Sequence, residues 1–316
     1  MDDDIANESD YPDESAKKAD SIKSIFYALF ANLAIALAKL GAAITTGSGS
    51  MLAESVHSFA DCCNQLLLLL GLNRAKQPPS PDHPLGFGKS IYFWSFIVAL
   101  MLFSMGGLFS VYEGVHKLSE TEPLRSPLIA IGVLAFSVVA EGLSLMGCIR
   151  EVNKERYGRS FWRWFQETRR SELLVIFGED LAALLGLSFA LLAVSMTMIT
   201  GNVIYDAIGS IGIGVLLIVI AFLLGVEIKK LIIGQSVEPR RLKEMREFLA
   251  GEDTIAEIFN LVTLQLGDDV MVAIKARMHP LGSETDLIKA VNAIENRLKE
   301  KFPEVLWSFF EPDISD

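Results

Sequence analysis

The run SMLAESVHSFADCCNQ at 50–65 places an imidazole and a carboxylate, His57 and Asp61, four residues apart. On a helix that spacing stacks both side chains on one face, where they can ligate the same ion. A second acidic pair, Glu179 and Asp180, sits in ELLVIFGEDLAALLG. Consecutive helical residues diverge by about 100°, so one of the two points directly at a ligand held by the first run. Asp180 shares a face with Ile176 and Glu172, Glu179 with Val175. Carboxylates and one neutral imidazole in a low-dielectric setting suit a divalent cation such as Zn²⁺. A lone buried Asp can satisfy itself on a neighbouring helix, and a lone His can be a core residue. Four such groups in two apolar segments favour ion or proton handling instead. Glu54 and Asn64 read as supporting or helix-contact residues, Glu113 and Glu141 as polar contacts. Asp206 reads as a carboxylate favouring the start of its own helix.

These residues sit in an unusual chain. Of its 316 residues, 51% are hydrophobic, yet the formal net charge is −11, with a mean hydropathy of +0.38. The two properties occupy different regions. Residues 1–21 hold eight acids and two Lys, and residues 235–316 hold sixteen acids and ten bases. Residues 22–234 hold fifteen acids and sixteen bases, so the apolar block is nearly neutral. That pattern excludes a single soluble globule, a fibrous or disulfide scaffold, and a nucleic-acid binder with a basic face. Cys62, Cys63 and Cys148 offer no metal knuckle and read as small buried hydrophobes. The N-terminal stretch shows no signal-peptide core and reads as a disordered, acidic tail.

A bilayer core needs roughly 20 apolar residues per helix. Six segments qualify: 24–46, 50–73, 91–115, 127–149, 172–199 and 203–226. Arg74, Lys76 and Lys89 mark the loop at 74–90 as cytoplasmic, as do seven Arg or Lys at 150–171 and the pair Lys229 and Lys230. Both termini are therefore expected in the cytoplasm. After Gly234, a helix at 239–250, two strands meeting at Gly267-Asp268-Asp269, a helix capped by Ser283 and a last strand follow. The fold expected is a polytopic α-helical membrane protein with six transmembrane helices at 22–234. A small cytoplasmic α+β (αββαβ) domain at 235–316 would gain from dimerisation.

The runs GSGSMLAESVHSFADCCNQLLLLLGL, DHPLGFGKSIYFWSF, VYEGVHKL and YDAIGSIGIGVLL, in that order, resemble the cation diffusion facilitator family of metal/proton antiporters. The similarity covers nearly everything from about 25 to 313. In that family, ligand pairs on helices two and five form the transport site. The resemblance maps His57 and Asp61 onto the first pair and Asp180 onto the second member of the other. The remaining position falls on Ile176, with Glu179 as the substitute. One His rather than two makes the site more oxygen-rich and friendlier to Mn²⁺ or Fe²⁺. Asp82 and His83 fill a secondary loop site incompletely, since a further loop His of some relatives is Phe87 here. Glu311 and Asp313 stand where relatives often end in His-x-Asp-Pro, so the tail domain is expected to dimerise with little or no metal.

The resemblance implies a non-enzymatic exporter of divalent cations, Zn²⁺ first and Fe²⁺, Mn²⁺ or Cd²⁺ as alternatives, exchanging them for protons. No tightly bound cofactor is expected. The partners are ion, protons, lipid and a second copy of the chain, in a bacterial inner membrane. An intramembrane metalloenzyme is disfavoured by the lack of HExxH or a nucleophile–base set. A non-transporting sensor or scaffold would show lost ligands, of which Ile176 is a partial sign, offset by Glu179.

Overall fold

The computed structural model describes residues 32–119 and 126–315. The acidic tail expected at 1–21, and the start of the first span, lie outside them. The described chain opens in α1 (Asn32–Thr46), and α2 (Gly49–Ala75) follows after a short break. Ser48 caps α2 by accepting from the Met51 N–H at 3.2 Å. The rest of that helix end is closed from elsewhere. Asp206 accepts from the Ser48 hydroxyl and the Gly49 N–H, both at 2.7 Å. The carboxylate thus serves the start of α2 rather than only that of its own helix. Its negative charge suits the positive pole of α2 and satisfies an otherwise orphaned backbone donor.

α3 (Ser90–Lys117) loosens into a π-helical stretch over Leu102–Leu108. α4 (Pro127–Arg156), the short α5 (Phe161–Glu167), α6 (Ser171–Thr200) and α7 (Ile204–Ile233) complete the bundle. Helices α3, α4, α6 and α7 are each long and apolar enough to cross a membrane. Helix α2 has 27 residues, about 40 Å at 1.5 Å per residue, but carries the polar stripe of Glu54, His57, Asp61 and Asn64. Large apolar side chains such as Leu128, Phe136, Leu192 and Phe222 are exposed on the outside of the bundle. Exposed apolar side chains on that scale are what a membrane-embedded bundle presents.

The bundle packs through small residues, as expected where lipid tails remove any hydrophobic drive between helices. At Gly114 of α3, a Cβ would stand 2.7 Å from the Ile211 backbone nitrogen. At Gly214 of α7, it would stand 2.7 Å from the Gly107 carbonyl oxygen. Between them the Ser210 hydroxyl donates to the Ser110 carbonyl at 2.9 Å.

Beyond α7, α8 (Pro239–Ala250) and α9 (Glu284–Lys301) accompany a sheet of β1 (Ile255–Leu266), β2 (Asp269–Met278) and β3 (Val305–Pro312). The order αββαβ is the expected one. β1 and β2 are antiparallel, and β3 joins β2 in parallel. Val270, Val272, Ile274 and Ala276 alternate into the core, meeting Ile294 and Leu298 of α9.

Two features fix this sheet unit to one end of the bundle. The Gly267 N–H donates to the Tyr92 phenol oxygen at 3.0 Å, and a Cβ on Gly88 would fall 1.7 Å from the Leu266 carbonyl oxygen. The buried Arg169 donates to the Ser236 carbonyl at 2.6 Å, and Arg159 pairs with both Glu167 and Glu238. Hydrogen bonds from Arg163, with help from Arg159, hold the Glu167 carboxyl below its usual range. Part of the positive charge at 150–171 is therefore structural. Because only glycine fits at position 88, Gly88→Val is expected to undock the hairpin tip while both units stay folded. Hydrogen exchange should accelerate at 265–269 and stay slow at the paired centre of β2.

Candidate metal centre

The stripe on α2 comes from its spacing. Residues 54, 57, 61 and 64 recur at intervals of three and four, which keeps them on one helical face. His57 is fully buried, and Gly106, inside the π-helical stretch of α3, leaves space beside it: a Cβ there would be 3.6 Å from Nδ1. Neither ring nitrogen has a hydrogen-bond partner. Nε2 lies 3.6 Å from Asp61 Oδ2, too far for a hydrogen bond but close enough for both groups to approach one ion. Asp61 Oδ1 and Asn64 Oδ1 are likewise buried without partners. Buried polar atoms are normally satisfied, so a row of orphans on one face is a place prepared for something positive or protic.

That row borders a cavity of about 310 Å³ walled by α1, α2, α4 and α6. Asp61, Glu179 and Asp180 line it together, as do Glu141 and Glu172. The sequence ranks Asp180 ahead of Glu179, but the rotation of α6 divides their contacts differently. Glu179 is the one held to α2, its Oε1 accepting from Asn64 Nδ2 at 2.5 Å. Asp180 turns to α4, where the Ser144 hydroxyl donates to it at 3.2 Å. Ile176, 40% exposed, occupies the wall between Glu172 and the acidic pair. His57 stands behind Asp61 and does not line the cavity. Among the described residues, no three or more His, Cys, Asp or Glu side chains are drawn together closely enough to hold a metal ion. Three of the four candidates border one space, with His57 behind Asp61, and together they are not a closed coordination shell.

Asp82 and His83 lie elsewhere, in an exposed turn where Ser80 and His83 exchange backbone hydrogen bonds and the imidazole lies against Phe87. Neither lines the cavity. In the tail unit, Asp313 pairs with Lys275 at 3.1 Å. Cys62 and Cys148 are buried as expected, whereas Cys63 is exposed.

Sequence reasoning missed one group entirely. Lys39 of α1 is fully buried, with Nζ 2.7 Å from the Ser58 hydroxyl and 3.4 Å from Glu54 Oε2. Its signal was a base inside an apolar run, eight residues short of the Gly47 turn, where it passes for a side chain reaching the interface. Glu54, read as a supporting residue, is the buried partner of that ammonium.

A bundle of apolar helices with carboxylates around a cavity and a small sheet unit at one end defines a class: a multi-pass helical membrane protein. A family model described as the cation efflux transmembrane domain matches residues 25–233. The chain is 39% identical over 227 residues to the proton-coupled zinc antiporter SLC30A9, mitochondrial, of Homo sapiens, covering 71% of this chain and 40% of that one. It is 30% identical over 249 residues to metal tolerance protein C4 of Arabidopsis thaliana, covering 78% and 54%. It is 25% identical over 283 residues to magnetosome protein MamB of Paramagnetospirillum magneticum, covering 88% and 89%. The chain thus spans about two-fifths of its animal relative's length. It belongs to the cation efflux, or cation diffusion facilitator, family.

Proposed function

We propose that this protein exports divalent cations, Zn²⁺ foremost, from the cytoplasm in exchange for protons by alternating access. The observation that carries the reading is the cavity where Asp61, Glu179 and Asp180 meet, backed by the unpartnered His57. The relative named a proton-coupled zinc antiporter supports both the ion and the coupling. With the cavity facing the sheet-unit end, ionised carboxylates and neutral imidazole take the ion, and small helix movements close the separated ligands on it. After reorientation, protonation of the same groups weakens their hold, because metal binding requires them deprotonated. No resident cofactor enters this cycle.

In this reading six helices span a bacterial inner membrane. The regions 22–234 and 235–316 act as transport and tail domains, and both termini lie in the cytoplasm. Two protomers pair through the tail domain, whose sheet exposes Val262 and Phe309. Selectivity for Mn²⁺ or Fe²⁺ is a second reading. It is favoured by the oxygen-rich cavity wall, with Ile176 where a second imidazole would stand.

Proteoliposome flux tests both, comparing Zn²⁺, Mn²⁺, Fe²⁺ and Cd²⁺ with and without a pH gradient. Zn²⁺ uptake that the gradient accelerates is the expected result. Mn²⁺ or Fe²⁺ preference would select the second reading, and no flux of any ion would sink both.

A further inference from the structure

We propose that Lys39 is a specificity-determining residue: it occupies Glu54 as a built-in cation and keeps that carboxylate out of the travelling ion's ligand set. The inference rests on the transport reading above and adds a residue to it.

Lys39 and Glu54 are both fully buried, and a buried charge in a membrane bundle is costly unless paired. Ser58 anchors the ammonium at 2.7 Å and so aims it at Glu54 Oε2. The other carboxylate oxygen, Oε1, has no hydrogen-bond partner. It projects toward α6 at Gly186, where an added Cβ would lie 2.6 Å away. Glu54 shares the α2 stripe with His57 and Asp61, at the end farther from the sheet unit. An ion leaving Asp61 along the stripe meets the imidazole next, then Glu54. Without Lys39, Glu54 would have no resident cation and would be open to an arriving dication. Two carboxylates and an imidazole in a dry interior would retain a dication strongly, because little solvent competes with them. With the ammonium in place the pair is neutral, and the ion is left with the softer, weaker set that includes His57. The added oxygen ligand would favour hard cations over Zn²⁺.

Equilibrium binding of Zn²⁺ and of Mn²⁺ to the purified full chain tests this. Lys39→Met is expected to raise the Mn²⁺/Zn²⁺ affinity ratio about tenfold, equivalent to roughly 1.4 kcal/mol. Adding Glu54→Gln should bring the ratio back to the wild-type value. Glu54→Gln alone leaves the ammonium unbalanced and should weaken both ions together, which serves if Lys39→Met does not fold. The proposal is overturned if Lys39→Met lowers thermal stability and both affinities while the ratio stays fixed, since Lys39 would then be a strut between helices. It is overturned equally if Glu54→Gln leaves both affinities unchanged, or if wild-type protein binds neither ion. Failure of the transport reading appears separately, as wild-type vesicles that move neither ion while the binding ratios still decide the role of Lys39.

Discussion

Proteoliposomes bearing His57→Ala together with Asp61→Ala are expected to lose pH-gradient-driven Zn²⁺ flux by at least about 100-fold. Loss of even an outer-shell partner typically costs 10–100-fold at a metal site. Here two donors on one helical face disappear at once. Asp61 is the α2 carboxylate in the cavity wall, and His57 is the imidazole 3.6 Å behind it. Their removal leaves Glu179 tied to Asn64 and Asp180 tied to Ser144, with no ligand from α2 left to close on an ion. A trapped fluorescent Zn²⁺ reporter measures the rate. Asp82→Ala together with His83→Ala, in an exposed turn away from the cavity, should keep flux within about twofold, as surface changes usually do. Wild-type flux from the His57/Asp61 double variant would remove both residues from the ion's path.

What the sequence could disclose about this centre depends on the range of each signal. The pairing of His57 with Asp61 is written in the helical period, a local rule, and the two side chains come within 3.6 Å. The choice between Glu179 and Asp180 depends on how α6 is rotated against α2 and α4, which packing decides, and the two turn out to serve different neighbours. Asp206 shows the same limit. Its position predicts an effect on its own helix, yet it caps a helix that begins 157 residues earlier. Lys39 is the clearest case, because its meaning comes from Glu54 and Ser58 on the next helix, and no spacing rule connects them. Charge counting reads the basic loop at 150–171 only as an orientation signal, whereas Arg159 and Arg169 also hold local partners there. The tail unit was legible almost throughout. Its strands alternate, its turn contains Gly267 at φ +76°, and Ser283 accepts from the Asp286 N–H as an N-cap.

Gly114→Leu is expected to cost more than about 3 kcal/mol, the upper end for overpacking a close-packed interior. The reason lies in what stands opposite. A flexible side chain can swing away from an intruding methyl group, whereas at Gly114 the nearest groups include the Ile211 nitrogen at 2.7 Å and the Ala207 carbonyl at 2.8 Å. Helix backbone cannot yield without moving the whole helix. Separating α3 from α7 would also open the contacts at Gly107 and Gly214 and break the Ser210–Ser110 hydrogen bond. The disturbance would reach the candidate site, because Gly106 on the same helix lies beside His57. Thermal unfolding in detergent, followed by the loss of monodisperse protein, measures the effect. Gly132→Leu on α4 is the matched control, since nothing lies within 4 Å of its added Cβ, and it should change stability by less than about 0.5 kcal/mol. If Gly114→Leu melted where the control does, the close approach of α3 and α7 would be wrong. The support it gives to the position of His57 would then fall with it.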